Sequence, residues 1–319
     1  MIHFIILLTG MVLLVKGADH LIENASVLAG RLKVSKTLIA LTIVAMGTSL
    51  PEMTVNVIAS LEKKHDIVLG NIIGSNIANL LLILGVSGVI SQIKFDAKTV
   101  RSELPVSLFA VLVLFIAAND GFMFGSAANI ISRPEGLILL LFFTAFLIYS
   151  FKTSAAAENE TPGSGVIGRS TFSLAAIIAL SMAALLGGGK LTVDAAVAIA
   201  RNFGMSEKLI ALTIISIGTS LPELVTSGMA AYKKQYEIAT GNITGSNIFN
   251  IFLILGVSSS IDGVKYNSAF NADIAVLAIA SLYVMAALLV GKRHRFGRLK
   301  SIPLLAGFIT YLAFLIIRN

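Results

Sequence analysis

The segment Ile39–Glu52, IALTIVAMGTSLPE, returns 171 residues later as Ile210–Glu223, IALTIISIGTSLPE, with eleven of fourteen positions identical. A second stretch, GNIIGSNIANLLLILGVS at 70–87, returns at the same offset as GNITGSNIFNIFLILGVS at 241–258, identical at fourteen of eighteen. Two long matches at one offset identify an internal duplication. Each copy of the first stretch ends in the hexapeptide GTSLPE, Gly47–Glu52 and Gly218–Glu223, which sets a helix-breaking proline and a carboxylate behind an apolar run.

The surroundings of these motifs are made for lipid. Hydrophobic residues are 56% of the chain, charged residues 13%, and the mean hydropathy is +0.90, far from the averages of water-soluble domains. Apolar runs near the length of a bilayer span, about 20 residues, occupy 4–29, 37–61, 67–91, 104–118, 136–151, 172–200, 208–232, 238–261, 272–291 and 301–317. The expected fold is therefore an all-α polytopic membrane protein of ten transmembrane helices. The first run has no basic residue ahead of it and no clear cleavage site after it, and it reads as a retained helix.

Five helices per copy is an odd number, so the second copy enters the membrane from the opposite face. The result is two inverted five-helix repeats with broken core helices: 1–151 and 172–319, joined by a polar linker at 152–171 that carries Glu158, Glu160, Pro162, Gly163 and Gly165. Inverted repeats place ion or substrate sites near the midplane where they meet. Fifteen lysines and arginines fall in the odd-numbered loops and seven in the even-numbered ones. The richer side is expected to be cytoplasmic, which leaves both termini outside it in the cell membrane. This asymmetry and the anionic headgroups account for the net charge of +7 without nucleic acid.

The hexapeptide has physical content. Proline lacks an amide hydrogen and its ring clashes with the carbonyl four residues earlier, so Pro51 is expected to free the carbonyl of Gly47, and Pro222 that of Gly218. Such a break is tolerated at membrane depth only where it lines a cavity or binds something. Thr48, Ser49, Thr219 and Ser220 add hydroxyls at the breaks. A charged acid at the membrane centre costs about 2.5–3.5 kcal/mol on insertion scales, and neither Glu52 nor Glu223 has a Lys, Arg or His in its immediate flanks. A diffusible cation is the economical partner.

The second motif supplies more oxygen. Ser75 and Asn79 stand four apart on one helical face, as do Ser246 and Asn250, while Asn76 and Asn247 read as interhelical hydrogen bonders outside the ligand set. Gly70 and Gly74, with Gly241 and Gly245, have the spacing that lets helices approach closely. Carboxylate, hydroxyl, amide and backbone oxygens suit hard cations such as Ca2+, and the neutral ones suit Na+. With no cysteine, thiolate metal sites and iron–sulfur ligation are excluded, and His3, His20, His65 and His294 lack metal-ligand spacing. No further cofactor is expected beyond the ions carried. Lys16, Asp19, His20 and Glu23, and Lys190 with Asp194, read as paired or snorkelling charges rather than a proton relay.

At these residues the chain resembles the calcium/cation antiporter superfamily, in its prokaryotic sodium/calcium exchanger branch, whose two repeats carry GTSLPE-like and GSN-like motifs. The resemblance spans essentially the whole chain. It implies a core of the second, third, seventh and eighth helices, across which the first and sixth slide to open each side in turn. It implies ion ligands at Glu52 and Glu223, at oxygens of Ala45, Thr48, Ser49, Ser75 and Asn79, and at Ser216, Thr219, Ser220, Ser246 and Asn250. It further implies exchange of three Na+ for one Ca2+, which moves net charge; a monomer is expected. Two positions depart from the pattern: some relatives carry Asp where Asn250 stands, and Ser216 stands at the position that Ala45 holds in the first repeat. Proton/calcium exchange on the same fold is the alternative, and a passive cation channel or an intramembrane enzyme stand further off, since no phosphate loop or H-E-x-x-H occurs.

Overall fold

The computed structural model describes residues 2–120, 129–155, 170–205, 216–290 and 294–318. Its helices are α1 (Ile2–Leu32), α2 (Lys36–Thr48), α3 (Leu50–Leu61), α4 (His65–Ile90), α5 (Thr99–Ala118), α6 (Arg133–Ala155), α7 (Thr171–Asn202), α8 (Leu221–Tyr232), α9 (Tyr236–Ile261), α10 (Ser268–Leu289) and α11 (Arg298–Arg318). Among the described residues eight helices are long and apolar enough to cross a membrane, and the pair α2–α3, bent by 50°, makes a ninth span. Of the expected span at 208–232, α8 is the second part, preceded by the turn Ser216–Gly218. Residues 206–215, and 156–169 of the expected linker, lie outside the described residues.

Element bounds repeat as the sequence does. Helices α3 and α8 share an offset of 171, and so do the π-helical segments Ala78–Ile83 and Phe249–Ile254 inside α4 and α9. The bend between α2 and α3 falls at Ser49 (φ −86°, ψ 9°), and Ser220 has the same conformation (φ −88°, ψ 7°) before α8. Pro51 and Pro222 therefore sit in the first turn of a new helix, where a missing N–H costs nothing. Backbone bonding resumes at once, with Met53 N donating to Ser49 O and Leu224 N to Ser220 O, both at 3.0 Å.

Burial separates core from periphery. In the most apolar stretch of α9, 94% of residues are buried, and in that of α4 72%, against 33% in α1 and α7 and 22% in α11. Phe249 and Phe252 of α9 are fully enclosed, with the Phe143 ring of α6 edge-on to Phe249 at 4.9 Å. The outer surface carries exposed Ile2, Phe4, Ile5, Leu8, Leu137, Leu141 and Ile309. Helices α1 and α7, 31 and 32 residues long, exceed the ~20 residues of a perpendicular span.

Close backbone approach depends on glycine at two interfaces. A Cβ at Gly10 of α1 would stand 2.8 Å from Gly188 O of α7, and one at Gly188 2.7 Å from Gly10 O. A Cβ at Gly241 or Gly245 of α9 would meet Ala40 or Ala45 of α2 at 2.6 and 2.8 Å, as their spacing predicts. Their counterparts differ: at Gly70 the nearest described atom is a Phe270 ring carbon at 3.8 Å, and at Gly74 none lies within 4 Å.

Two features were not foreseen from the sequence. The strands β1 (Ile93–Lys94) and β4 (Arg295–Phe296) pair antiparallel, as do β2 (Ile130–Ile131) and β3 (Val264–Lys265). Two-residue strands carry no periodicity, so the loops conceal them.

Candidate ion-binding site

The helix breaks bring the two acids inside. Glu52 lies in the first turn of α3 and Glu223 in that of α8, exposed by only 2% and 1%. A crossed set of hydroxyls connects them. Ser49 Oγ, just ahead of α3, donates to Glu223 Oε1 at 2.9 Å, and Ser220 Oγ, just ahead of α8, donates to Glu52 Oε1 at 3.3 Å. Ser75 of α4 also donates to Glu52 Oε1, at 3.4 Å, while Ser246 Oγ of α9 lies 3.0 Å from Ser49 Oγ, which can accept its proton. Thr219, half-buried, and Thr48, buried, sit beside these serines in the two breaks.

Helical spacing puts the amides one turn beyond the serines. Asn79 and Asn250, each 1% exposed, lie inside the π-helical segments of α4 and α9, a distortion that recurs at functional sites. Asn79 Nδ2 donates to Asn247 Oδ1 at 2.9 Å, and Asn250 Nδ2 donates to Asn76 Oδ1 at 3.2 Å. Asn76 and Asn247 thus bond between helices.

Among the described residues, four buried oxygens at these positions have no hydrogen-bond partner: Glu52 Oε2, Glu223 Oε2, Asn79 Oδ1 and Asn250 Oδ1. Unpartnered buried acceptors are costly, and all four are hard, anionic or strongly dipolar ligands. A cation is the chemical species that such a set can hold. No Lys, Arg or His forms an ion pair with either glutamate among the described residues.

The remaining expected ligands fare differently. The Ala45 carbonyl accepts the helical bond from Ser49 N at 3.0 Å, and Thr48 Oγ1, whose shorter contact is to Asn242, stands 3.3 Å away. The Ser216 side chain lies outside the described residues. Among the charges set aside in the sequence, Lys190 and Asp194 form an exposed pair at 3.0 Å and Asp19 pairs with Lys233.

Sequence reasoning missed Asn71 and Asn242, although both belong to the repeated GNIxGSN motif. Asn242, wholly buried, accepts from Thr48 Oγ1 at 3.1 Å and donates to Ser227 Oγ, one turn past Glu223, at 2.9 Å. Asn71 donates to the Glu52 carbonyl at 3.4 Å and Asn56 to the same oxygen at 2.8 Å. The signal was present in the recurrence at offset 171.

Known proteins share this architecture. The sodium/calcium exchanger protein family matches residues 2–152 and 173–317. The sodium/calcium exchanger MaX1 of Methanosarcina acetivorans is 34% identical over 292 residues, covering 81% of this chain and 82% of its own. The inner membrane protein YrbG of Escherichia coli is 33% identical over 319 residues, covering 97% and 95%. A solved structure of the sodium-calcium exchanger NCX_Mj superimposes with a TM-score of 0.82 at 33% identity over 98% of each chain. With a family match along nearly the whole sequence and helices of the same arrangement, the chain belongs to the sodium/calcium exchanger family.

Proposed function

We propose that this multi-pass membrane protein is a secondary active antiporter that exchanges Na+ for Ca2+ at a site shared by Glu52 and Glu223. The observation that carries the reading is the set of four buried, unpartnered oxygens on Glu52, Glu223, Asn79 and Asn250. Two carboxylates neutralise one Ca2+. The same acids, with the hydroxyls of Ser49, Thr48, Ser75, Thr219, Ser220 and Ser246 around them, offer Na+ the mixed oxygen shell it accepts. Removing the Ca2+ without replacing its charge leaves two buried anions, so exchange rather than leak is the low-energy cycle.

In this reading the two halves are inverted repeats and access alternates between the membrane faces. Helices α1 and α7, joined backbone to backbone at Gly10 and Gly188, move together across the core of α2, α3, α4, α8 and α9. Three Na+ against one Ca2+ makes each cycle electrogenic. Both termini stand on the extracytoplasmic side of the cell membrane.

Proteoliposomes loaded with Na+ and diluted into Na+-free medium test the reading. Uptake of 45Ca2+ that follows the Na+ gradient and responds to an imposed potential is expected. Uptake driven by a pH gradient with no Na+ present would replace it with proton/calcium exchange.

A further inference from the structure

Among the described residues Asn76 and Asn247 are not seen to bond to either glutamate, yet each takes the amide hydrogen of a residue in the proposed ion shell. Asn79 of α4 donates to Asn247 of α9 at 2.9 Å; Asn250 of α9 donates to Asn76 of α4 at 3.2 Å. The bonds are reciprocal, and in each half the acceptor stands three residues before the donor. All four residues are at most 2% exposed, so water does not compete for them.

The consequence is orientational. A side-chain amide presents a carbonyl oxygen on one side and two N–H donors on the other. Committing Nδ2 of Asn79 and Asn250 to the clasp leaves Oδ1 as the free atom in each, and those two oxygens are the ones without a partner. Ser75 and Ser246, one turn earlier on the same faces, already bond within the glutamate network, so the freed oxygens lie along the side of each helix that meets the acids. Turned over, the same amides would offer N–H groups to a cation and repel it. We propose that Asn76 and Asn247 are positioning residues, which lock the amides of Asn250 and Asn79 with oxygen toward the ion and so set its affinity. The proposal rests on the ion site described above.

A double-mutant cycle read by Ca2+ binding to the purified protein separates this role from packing. Leucine branches at Cγ as asparagine does but accepts nothing. Asn247→Leu is expected to weaken Ca2+ binding roughly tenfold, about 1.4 kcal/mol, and to change it less than twofold when Asn79→Ala has already removed the ligand. Asn247→Asp, which keeps an acceptor for Asn79 Nδ2, is expected to bind Ca2+ at least as tightly as the parent. Equal losses in both backgrounds, or no loss with Asn247→Leu in the parent, would overturn the proposal. The pair Asn76→Leu and Asn250→Ala repeats the cycle in the other half, and its outcome decides the matter if Asn247→Leu fails to fold. Glu52→Gln is measured alongside: Ca2+ binding unchanged there would sink the site itself, whereas binding lost there but kept in Asn247→Leu sinks only the clasp.

Discussion

Ser49 lies three residues ahead of Glu52, but its hydroxyl bonds to Glu223, 2.9 Å away and 174 residues distant in sequence. Ser220 does the converse for Glu52 at 3.3 Å. Each helix break thus serves the acid of the other half, and the two carboxylates become one unit. Neither half of the chain contains a complete site.

This crossing makes the serines sensitive to removal. A hydrogen bond to a charged group contributes roughly 1.5–3 kcal/mol, and Ser49 also bonds to Ser246 at 3.0 Å. Ser49→Ala is expected to lower Ca2+ affinity about tenfold or more by that magnitude, and Ser220→Ala, with its longer bond, to lower it less. Titration calorimetry on the purified variants gives the order; equal affinities in parent and both variants would contradict it.

Asn250 offers a gain rather than a loss. A carboxylate there would add a third negative charge near the ion, and the Asn76 amide, whose Nδ2 lacks a partner at present, can turn to donate to it. Asn250→Asp is therefore expected to fold and to raise the preference for Ca2+ over Na+ by roughly tenfold, the effect of one extra buried charge on a divalent ion. Inhibition of 45Ca2+ uptake by increasing Na+, compared between parent and variant, checks the direction.

The α1–α7 interface tolerates no added atoms. A Cβ at Gly188 would lie 2.7 Å from Gly10 O, and one at Gly10 2.5 Å from Thr192 Oγ1. Backbone cannot yield as a side chain does, so Gly188→Val is expected to force the helices apart at a cost of about 1–3 kcal/mol or more. The thermal transition in detergent should fall by several degrees and Na+-driven uptake should fall with it, while Gly187→Ala, where no atom lies within 4 Å among the described residues, should change neither.

Glu103 on α5 is the useful control for buried charge. It is 1% exposed, and among the described residues neither of its carboxylate oxygens has a hydrogen-bond partner, nor do Thr99 Oγ1 and Lys98 Nζ nearby, and none of the bonds around Glu52 and Glu223 reaches it. Glu103→Gln is expected to leave Na+-driven 45Ca2+ uptake within about twofold and to raise the unfolding temperature, since an unpartnered buried acid opposes folding. A loss of uptake would show that the ion path includes α5.

Much of this was readable in the duplicated motifs. Lipid-matched runs, the doubled Pro-Glu and the face shared by Ser75 and Asn79 each follow from local rules of helix geometry and solvation. Proline marked the break but misplaced it slightly: the bend sits at Ser49, because Pro51 is accommodated in the first turn of α3. The partners of the site were not legible, because a bond such as Ser49 to Glu223, or Asn242 to Thr48, depends on how two helices cross rather than on spacing along either.

Paired substitution of the two acids tests the shared site most directly. Purified Glu52→Gln and Glu223→Gln, each in liposomes with an outward Na+ gradient, should show no 45Ca2+ uptake above protein-free vesicles, because either loss leaves one carboxylate facing a divalent ion. Uptake at the parental rate in either variant would mean that the ion is held elsewhere.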